Sequence, residues 1–227
     1  MAGNEGVSLV VPEGFDSYGR LLHHLGDGQR WAAVAPSYLR PGVDPYPYPF
    51  PEPVTMVEGD MGPTLVDALV PLLAAATANP RQCHFGLWTG WGALRSHSVL
   101  YMRPSGRSPV SALRSRREIR RRERVRRRSE APLYAFLEAC PVQPWWGGRD
   151  MLLFDGPIDA VTTIGAPFDG QIRRRSPQWW WPADRNWFVA TEIDYPWTYV
   201  GGPTALIDSI VAAATLEAVR VRSSDLW

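Results

Sequence analysis

Ten arginines and three glutamates occupy Ser111–Glu130, a charge of +7 within twenty residues. The apolar side chains Leu113, Ile119 and Val125 stand six apart, so they cannot form a continuous stripe at the helical period of about 3.6. Arginine is almost never fully buried unless paired. The stretch therefore cannot enter a core, and a compact body has to be assembled from the chain on either side of it. Glu118 with Arg122 and Glu123 with Arg127 are i,i+4 pairs in the favourable order. They allow a solvent-projecting helix of about 27 Å, while mutual repulsion of the arginines favours disorder. We expect one domain over 1–227 with an Arg-rich insertion at 110–130. Outside Ser111–Glu130 the chain holds 14 basic and 20 acidic residues, so the formal net charge of +1 hides a polarised molecule. All 24 basic residues are arginine, the mark of a GC-rich coding sequence and a high-GC bacterial source.

The flanking sequence is rich enough for a core: 45% of 227 residues are hydrophobic, and a chain of this size buries roughly 70% of its unfolded surface. "VSLVVPEGF" reads as a strand start and a turn, "YGRLLHHLG" as a short helix stopped by Gly26, and "RWAAVA" as a brief ordered piece. "DPYPYPFPEP" (44–53) fixes φ at alternate residues and removes donors, which predicts an extended or irregular proline-rich arm. Leu65, Leu69, Leu72, Leu73 and Ala76 share one face of a helix over Pro63–Ala78, with Pro63 in its first turn and Pro71 kinking it. "QCHFGLWTGWG" reads as a strand with "HSVLYMRP" as its hairpin partner. Beyond the insertion, "YAFLEACP" predicts a short buried helix, "PWWGGRD" a turn, "MLLFDGPID" a strand, and "GAPFDGQIRRRSP" a loop. "RNWFVATEID" predicts a central strand. A helix follows with Leu206, Ile207, Ile210, Val211 and Ala214 on one face, then a last strand in "EAVRVR". This order specifies an α+β fold, a single mixed or antiparallel sheet with helices packed on it. The longest apolar run, "ALVPLLAAATA", is shorter than the roughly 18 residues that span a bilayer. With no signal-peptide pattern at the start, a soluble cytoplasmic protein is expected.

The chain carries no GxSxG, HExxH, Walker A, GxGxxG or CxxC pattern. Cys83 and Cys140 read as ordinary buried thiols, and His23 and His24 lie on the expected short helix. In a strand from Trp187 to Asp194, Glu192 and Asp194 fall on one face near its end. With Asp184 or Asp159 they form a candidate carboxylate cluster for acid/base or metal chemistry, or simply accept backbone donors and arginines. Gly201-Gly202 before Pro203 is a helix start that attracts anions, or a tight connection. Of eleven tryptophans, Trp88, Trp91 and Trp187 fit a core. Trp145, Trp146, Trp179, Trp180 and Trp181 form a candidate aromatic binding surface, because adjacent strand residues point oppositely and cannot all face one interior. Arg114, Arg117, Arg120, Arg121, Arg124, Arg127 and Arg128 are the candidate residues for polyanion binding.

Four blocks, "VPEGFDSYGRLLHHL", "VEGDMGPTLVDALVPLLAAATANPRQCHFGLWTGWG", "LLFDGPIDA" and "WWWPADRNWFVATEIDYPWTYVGGPTALIDSIV", together resemble a family of uncharacterised actinobacterial proteins. The resemblance covers most of the chain except the proline arm and the arginine stretch. It implies a shared fold and no mechanism. The expected function is a non-catalytic binding or regulatory protein working through a protein partner, an acidic one where the insertion engages it, with no cofactor or metal. Nucleic-acid or other polyanion binding through the insertion is the alternative, and a metal-dependent hydrolase on the carboxylates the third reading.

Overall fold

The computed structural model describes residues 7–26, 29–40, 57–91, 121, 124, 131, 135–168 and 171–225. The chain divides into two compact units, residues 1–88 with 153–227, and residues 89–152. The fold is α+β, as the sequence specifies. Its main sheet contains β1 (Ser17–Leu22), β2 (Cys83–Trp88), β3 (Val142–Gln143), β4 (Met151–Gly156), β7 (Trp179–Pro182), β8 (Phe188–Thr191), β9 (Trp197–Gly202) and β10 (Ala218–Val221). Their order is β10-β1-β9-β8-β7-β2-β4-β3. Strands β5 (Gly165–Phe168) and β6 (Gln171–Arg174) form a separate hairpin.

In the larger unit, two helices cover one face of the sheet. α3 (Gly62–Ala75) buries Leu65, Val66, Leu69 and Leu73, and its Pro71 lies on the exposed side. α4 (Thr204–Ala212) buries Leu206, Ile207 and Ile210. They meet Leu21, Phe85, Trp180, Trp187, Val189 and Val200 in one apolar cluster. Cross-strand pairs Phe85↔Trp180, Trp180↔Val189 and Val189↔Val200 place these side chains in a row. The Trp187 indole N–H donates to Leu73 O at 3.0 Å, so this ring adds a polar link to its buried area.

Polar side chains tie the loops to the sheet. Asp60, before α3, accepts from Gly62 N, Ser176 N and Ser176 Oγ (each 3.1 Å) and from Arg175 (3.0 Å), while Ser176 Oγ accepts from Met61 N at 3.0 Å. Gln178 is fully buried. Its backbone N–H donates to Gly86 O, its Nε2 to Gly59 O at 3.0 Å, and its Oε1 accepts from Trp88 N at 2.9 Å. Gly59 has φ 66°, and a Cβ there would stand 2.5 Å from Ile193 O, so only glycine fits.

Several segments depart from the sequence reading. "YGRLL" is a strand rather than a helix: β1 lies between β9 and β10 and five of its six residues are buried, so it lacks the alternation that marks a half-exposed strand. "VSLV" is one helical turn, α1 (Val7–Val10), rather than a strand, and the ordered piece expected at "RWAAVA" contains another, α2 (Trp31–Val34). Val7 N and Ser8 N donate to Asp225 O and Ser223 O, and these tertiary bonds outweigh β-branched propensity. The expected loop at 165–177 contains the β5–β6 hairpin, in which Phe168 pairs with Gln171; the Asp-Gly dipeptide between them in the sequence is a strong hairpin signal. Val211 is 40% exposed and α4 ends at Ala212, so the shared face stops short of Ala214.

The smaller unit holds β3 paired with the first two residues of β4, and a short 3₁₀ turn at Trp146–Gly148 whose two glycines have positive φ. Residues 135–139 are helical but not buried as expected, with Phe136 52% exposed. The proline arm and the strand expected at "HSVLYMRP" lie outside the described residues.

Candidate functional site

On the sheet face opposite α3 and α4, β1 and β9 are sealed by local chain. Val7, Val10 and Val11 are buried there, and a Cβ on Gly201 would stand 2.5 Å from Phe15 and 2.9 Å from Val11. Arg20, 1% exposed, donates to Tyr38 O at 2.9 Å, and its guanidinium lies 5.8 Å from the Trp197 ring centre. Its cross-strand partner Tyr199 is also buried, which pushes the phenol up to about 12 against the opposing pull of Arg20.

Over β8, β7 and β2 the same face carries half-buried rings. Trp181 stacks on His84 of β2 (centroids 5.2 Å apart, planes at 29°) and on Phe188 of β8 (5.5 Å, 18°). Trp179 tilts against Phe188 at 6.3 Å and lies over Gly86, where a Cβ would come within 3.1 Å of it. Rings stacked in this way occupy one another's faces and turn their edges outward. Edges carry the positive end of the ring quadrupole. The surface thus suits apolar side chains and carbonyl oxygens, and leaves no gap inside the stack for a sugar or a base. At its outer end His84 Nδ1 donates to Asp155 Oδ1 at 2.5 Å, with the side chains 37% and 75% exposed. A carboxylate only accepts, so in the neutral imidazole Nε2 keeps its lone pair.

A second titratable centre lies inside the sheet. His23, after β1, bonds Val57 O through Nδ1 at 2.8 Å and Thr198 Oγ1 through Nε2 at 2.9 Å, and Thr198 Oγ1 lies 2.7 Å from Thr191 Oγ1. The carbonyl must accept, so Nδ1 carries the proton, the Thr198 hydroxyl donates to Nε2, and the Thr191 hydroxyl donates to Thr198. Burial lowers the His23 pKa to about 4, against the opposing effects of the Val57 bond and Asp60. The unfolded chain takes up a proton below about 6.5 while the folded chain does not until about 4. Stability is therefore full above that window and falls through it, by about 3 kcal/mol in total. We expect urea melts between pH 7 and 4 to show this loss, and a His23→Gln variant to start less stable and lose the slope.

The other candidate residues are dispersed. Trp180 belongs to the core rather than to the aromatic surface: it is 0% exposed and meets Trp187 edge-on, because alternation sends it to the helix face while Trp179 and Trp181 point away. Trp187 is core as expected, whereas Trp88 and Trp91 are half-buried. Trp145 is half-buried in the smaller unit, and the Trp146 side chain lies outside the described residues. Arg121 and Arg124 are helical and exposed; Arg114, Arg117, Arg120, Arg127 and Arg128 lie outside the described residues.

The carboxylate cluster does not form. Asp184 sits in the β7–β8 turn and accepts from Thr77 Oγ1 (2.8 Å), Ala78 N (2.9 Å) and Asn186 N (3.1 Å). Desolvation works against its ionisation, but these bonds prevail and its pKa falls below the ordinary value. Glu192 lies beyond the other end of β8, a four-residue strand roughly 13 Å long, and is buried and accepts from Asp194 N at 2.6 Å. Strand β8 ends at Thr191, so Glu192 and Asp194 belong to a turn and not to one strand face. Among the described residues no group of three or more His, Cys, Asp or Glu could hold a metal. Burial and Asp184 push the Cys83 thiol up to about 11, so it is no nucleophile at neutral pH.

A groove of about 550 Å³ between the end of α3 and the start of α4 is lined by Leu72, Ala75, Ala76, Asn186, Leu206 and Ser209 among others. Its polar side chains are engaged: Asn186 Nδ2 donates to Ala76 O (2.5 Å) and Ser209 to Ala205 O (2.8 Å).

The class defined by these observations is an α+β protein whose sheet face opposite α3 and α4 carries a stack of half-buried rings. No described helix is long and apolar enough to cross a membrane. Comparison with family models, curated proteins and solved structures gives no match.

Proposed function

We propose that this is a non-catalytic binding protein that docks a protein partner on the ring-edge face formed by Trp179, Trp181, Phe188 and His84. The observation that carries the reading is the contrast between the two halves of one sheet face. Over β1 and β9 local chain excludes water, whereas over β8, β7 and β2 the stacked rings are half-buried. Rings of this size dominate interface energetics when a partner completes their burial. A hydrolase built on Asp184, Glu192 and Asp194 finds little support, because Asp184 lies at the opposite end of β8 from the turn that holds Glu192 and Asp194.

Capture from native host lysate tests the reading, using wild type, a Trp181→Ala/Phe188→Ala double variant and a chain lacking 110–130, each with and without nuclease. We expect the partner to survive nuclease and the deletion and to be lost with the double variant. Equal capture by the double variant would overturn it. Polyanion binding is the second reading, favoured by the charge of +7 within Ser111–Glu130. It predicts that the deletion alone abolishes retention on heparin at low salt.

A further inference from the structure

The ring ladder ends in a charge. Asp155, on β4, is 75% exposed, and the bond from His84 Nδ1 engages one of its oxygens, Oδ1. While the imidazole is neutral it does not cancel the carboxylate's charge, and it offers a further acceptor at Nε2. The inner face of His84 rests on Trp181, whose far face rests on Phe188, so among the described residues His84 is the terminal ring of the stack. Two acceptor groups, one of them charged, thus stand at the end of an apolar edge.

Resting on the docking reading, we propose that this end of the ladder is a guanidinium site. An arginine of the partner segment stacks its plane against His84 and donates to Asp155, while neighbouring apolar side chains of the same segment lie along the edges of Trp181 and Phe188. The chemistry selects arginine over lysine. A planar fork can stack on a ring and bond a carboxylate through two N–H groups at once, and its weaker hydration lowers the cost of leaving water. An acidic segment is disfavoured here, since it would bring a second carboxylate to Asp155. The acidic partner expected for the arginine insertion is therefore a separate matter from the occupant of this face.

The test uses the full chain and three synthetic peptides, acetyl-Leu-Xaa-Leu-amide with Xaa arginine, lysine or citrulline, the last matching arginine in shape without its charge. Binding is read from the Trp181 indole N–H resonance, assigned by its absence in Trp181→Phe. We expect saturable shifts, with the arginine peptide binding about fivefold more tightly than the citrulline peptide, as one surface charge pair allows. Asp155→Asn, at an exposed position where thermal melts should match wild type, is expected to erase that preference. Arginine and citrulline peptides binding alike, or a preference that survives Asp155→Asn, would overturn the guanidinium site and leave the docking face standing. An absence of shifts with all three would also overturn it, and the docking face would then be decided by lysate capture with the Trp181→Ala/Phe188→Ala variant.

Discussion

Trp180→Ala is expected to destabilise the protein by about 3–5 kcal/mol, the range for emptying a fully buried large aromatic site. Trp181→Ala, one residue on, is expected to cost only about 1–2 kcal/mol, because a half-buried ring forfeits part of its area and part of two stacking contacts. The indole of Trp180 is enclosed by Trp187, Phe85 and Val189, which α3 and the rest of the sheet hold in place, so the surroundings cannot collapse into the space. Denaturant melts with a common m-value separate the two substitutions. Similar losses at both positions would mean that the faces of β7 have been assigned wrongly. The same pair separates stability from binding: Trp181→Ala should weaken partner capture in a protein that still folds.

A loss of about 3–5 kcal/mol is also expected for Asp60→Ala, as for removing one member of a buried, hydrogen-bonded charge pair. This carboxylate is 8% exposed and accepts from two backbone N–H groups, the Ser176 hydroxyl and Arg175, so its removal leaves several donors without their acceptor at once. Asp60→Asn keeps one carbonyl oxygen for the backbone donors but loses the charge opposite Arg175, and should fall between alanine and wild type. Hydrogen exchange reads the cause directly. Protection of the Gly62 and Ser176 amides should drop in the alanine variant well before global unfolding, and unchanged protection would show that the loop is held by other contacts.

Local pattern made much of the architecture legible. Leu65, Leu69 and Leu73 at helical spacing gave α3, Leu206, Ile207 and Ile210 gave α4, and the alternation Trp187, Val189, Thr191 correctly divided β8 into its two faces. The readings that failed are those decided by distant chain. Nothing within "YGRLL" reveals that β9 and β10 will flank it on both sides, and nothing within "VSLV" reveals that Ser223 and Asp225 will take its amides. The site shows the same division. Period-two alternation was enough to say that Trp179, Trp180 and Trp181 cannot share one interior, but which of them lies inside depends on the pairing of β7 with β2 and β8. His84 and Asp155, 71 residues apart, were not singled out as a pair, since only the register of β2 against β4 brings them together. Asp169-Gly170 was the one local signal present in the sequence and not used.

Three identical residues in a row make β7 translationally ambiguous. Sliding the strand by one position would still put a tryptophan into the core slot beside Val189, so hydrophobic composition does little to oppose a slip that would turn every other side chain to the wrong face. The ambiguity is lifted by the two unlike residues that bracket the run. Gln178 fits only where its amide can reach Gly59 O and Trp88 N together, and Pro182, opposite Cys83, tolerates only a position that asks for no donor. The tryptophans supply the apolar mass of the strand, and a glutamine and a proline act as its index marks.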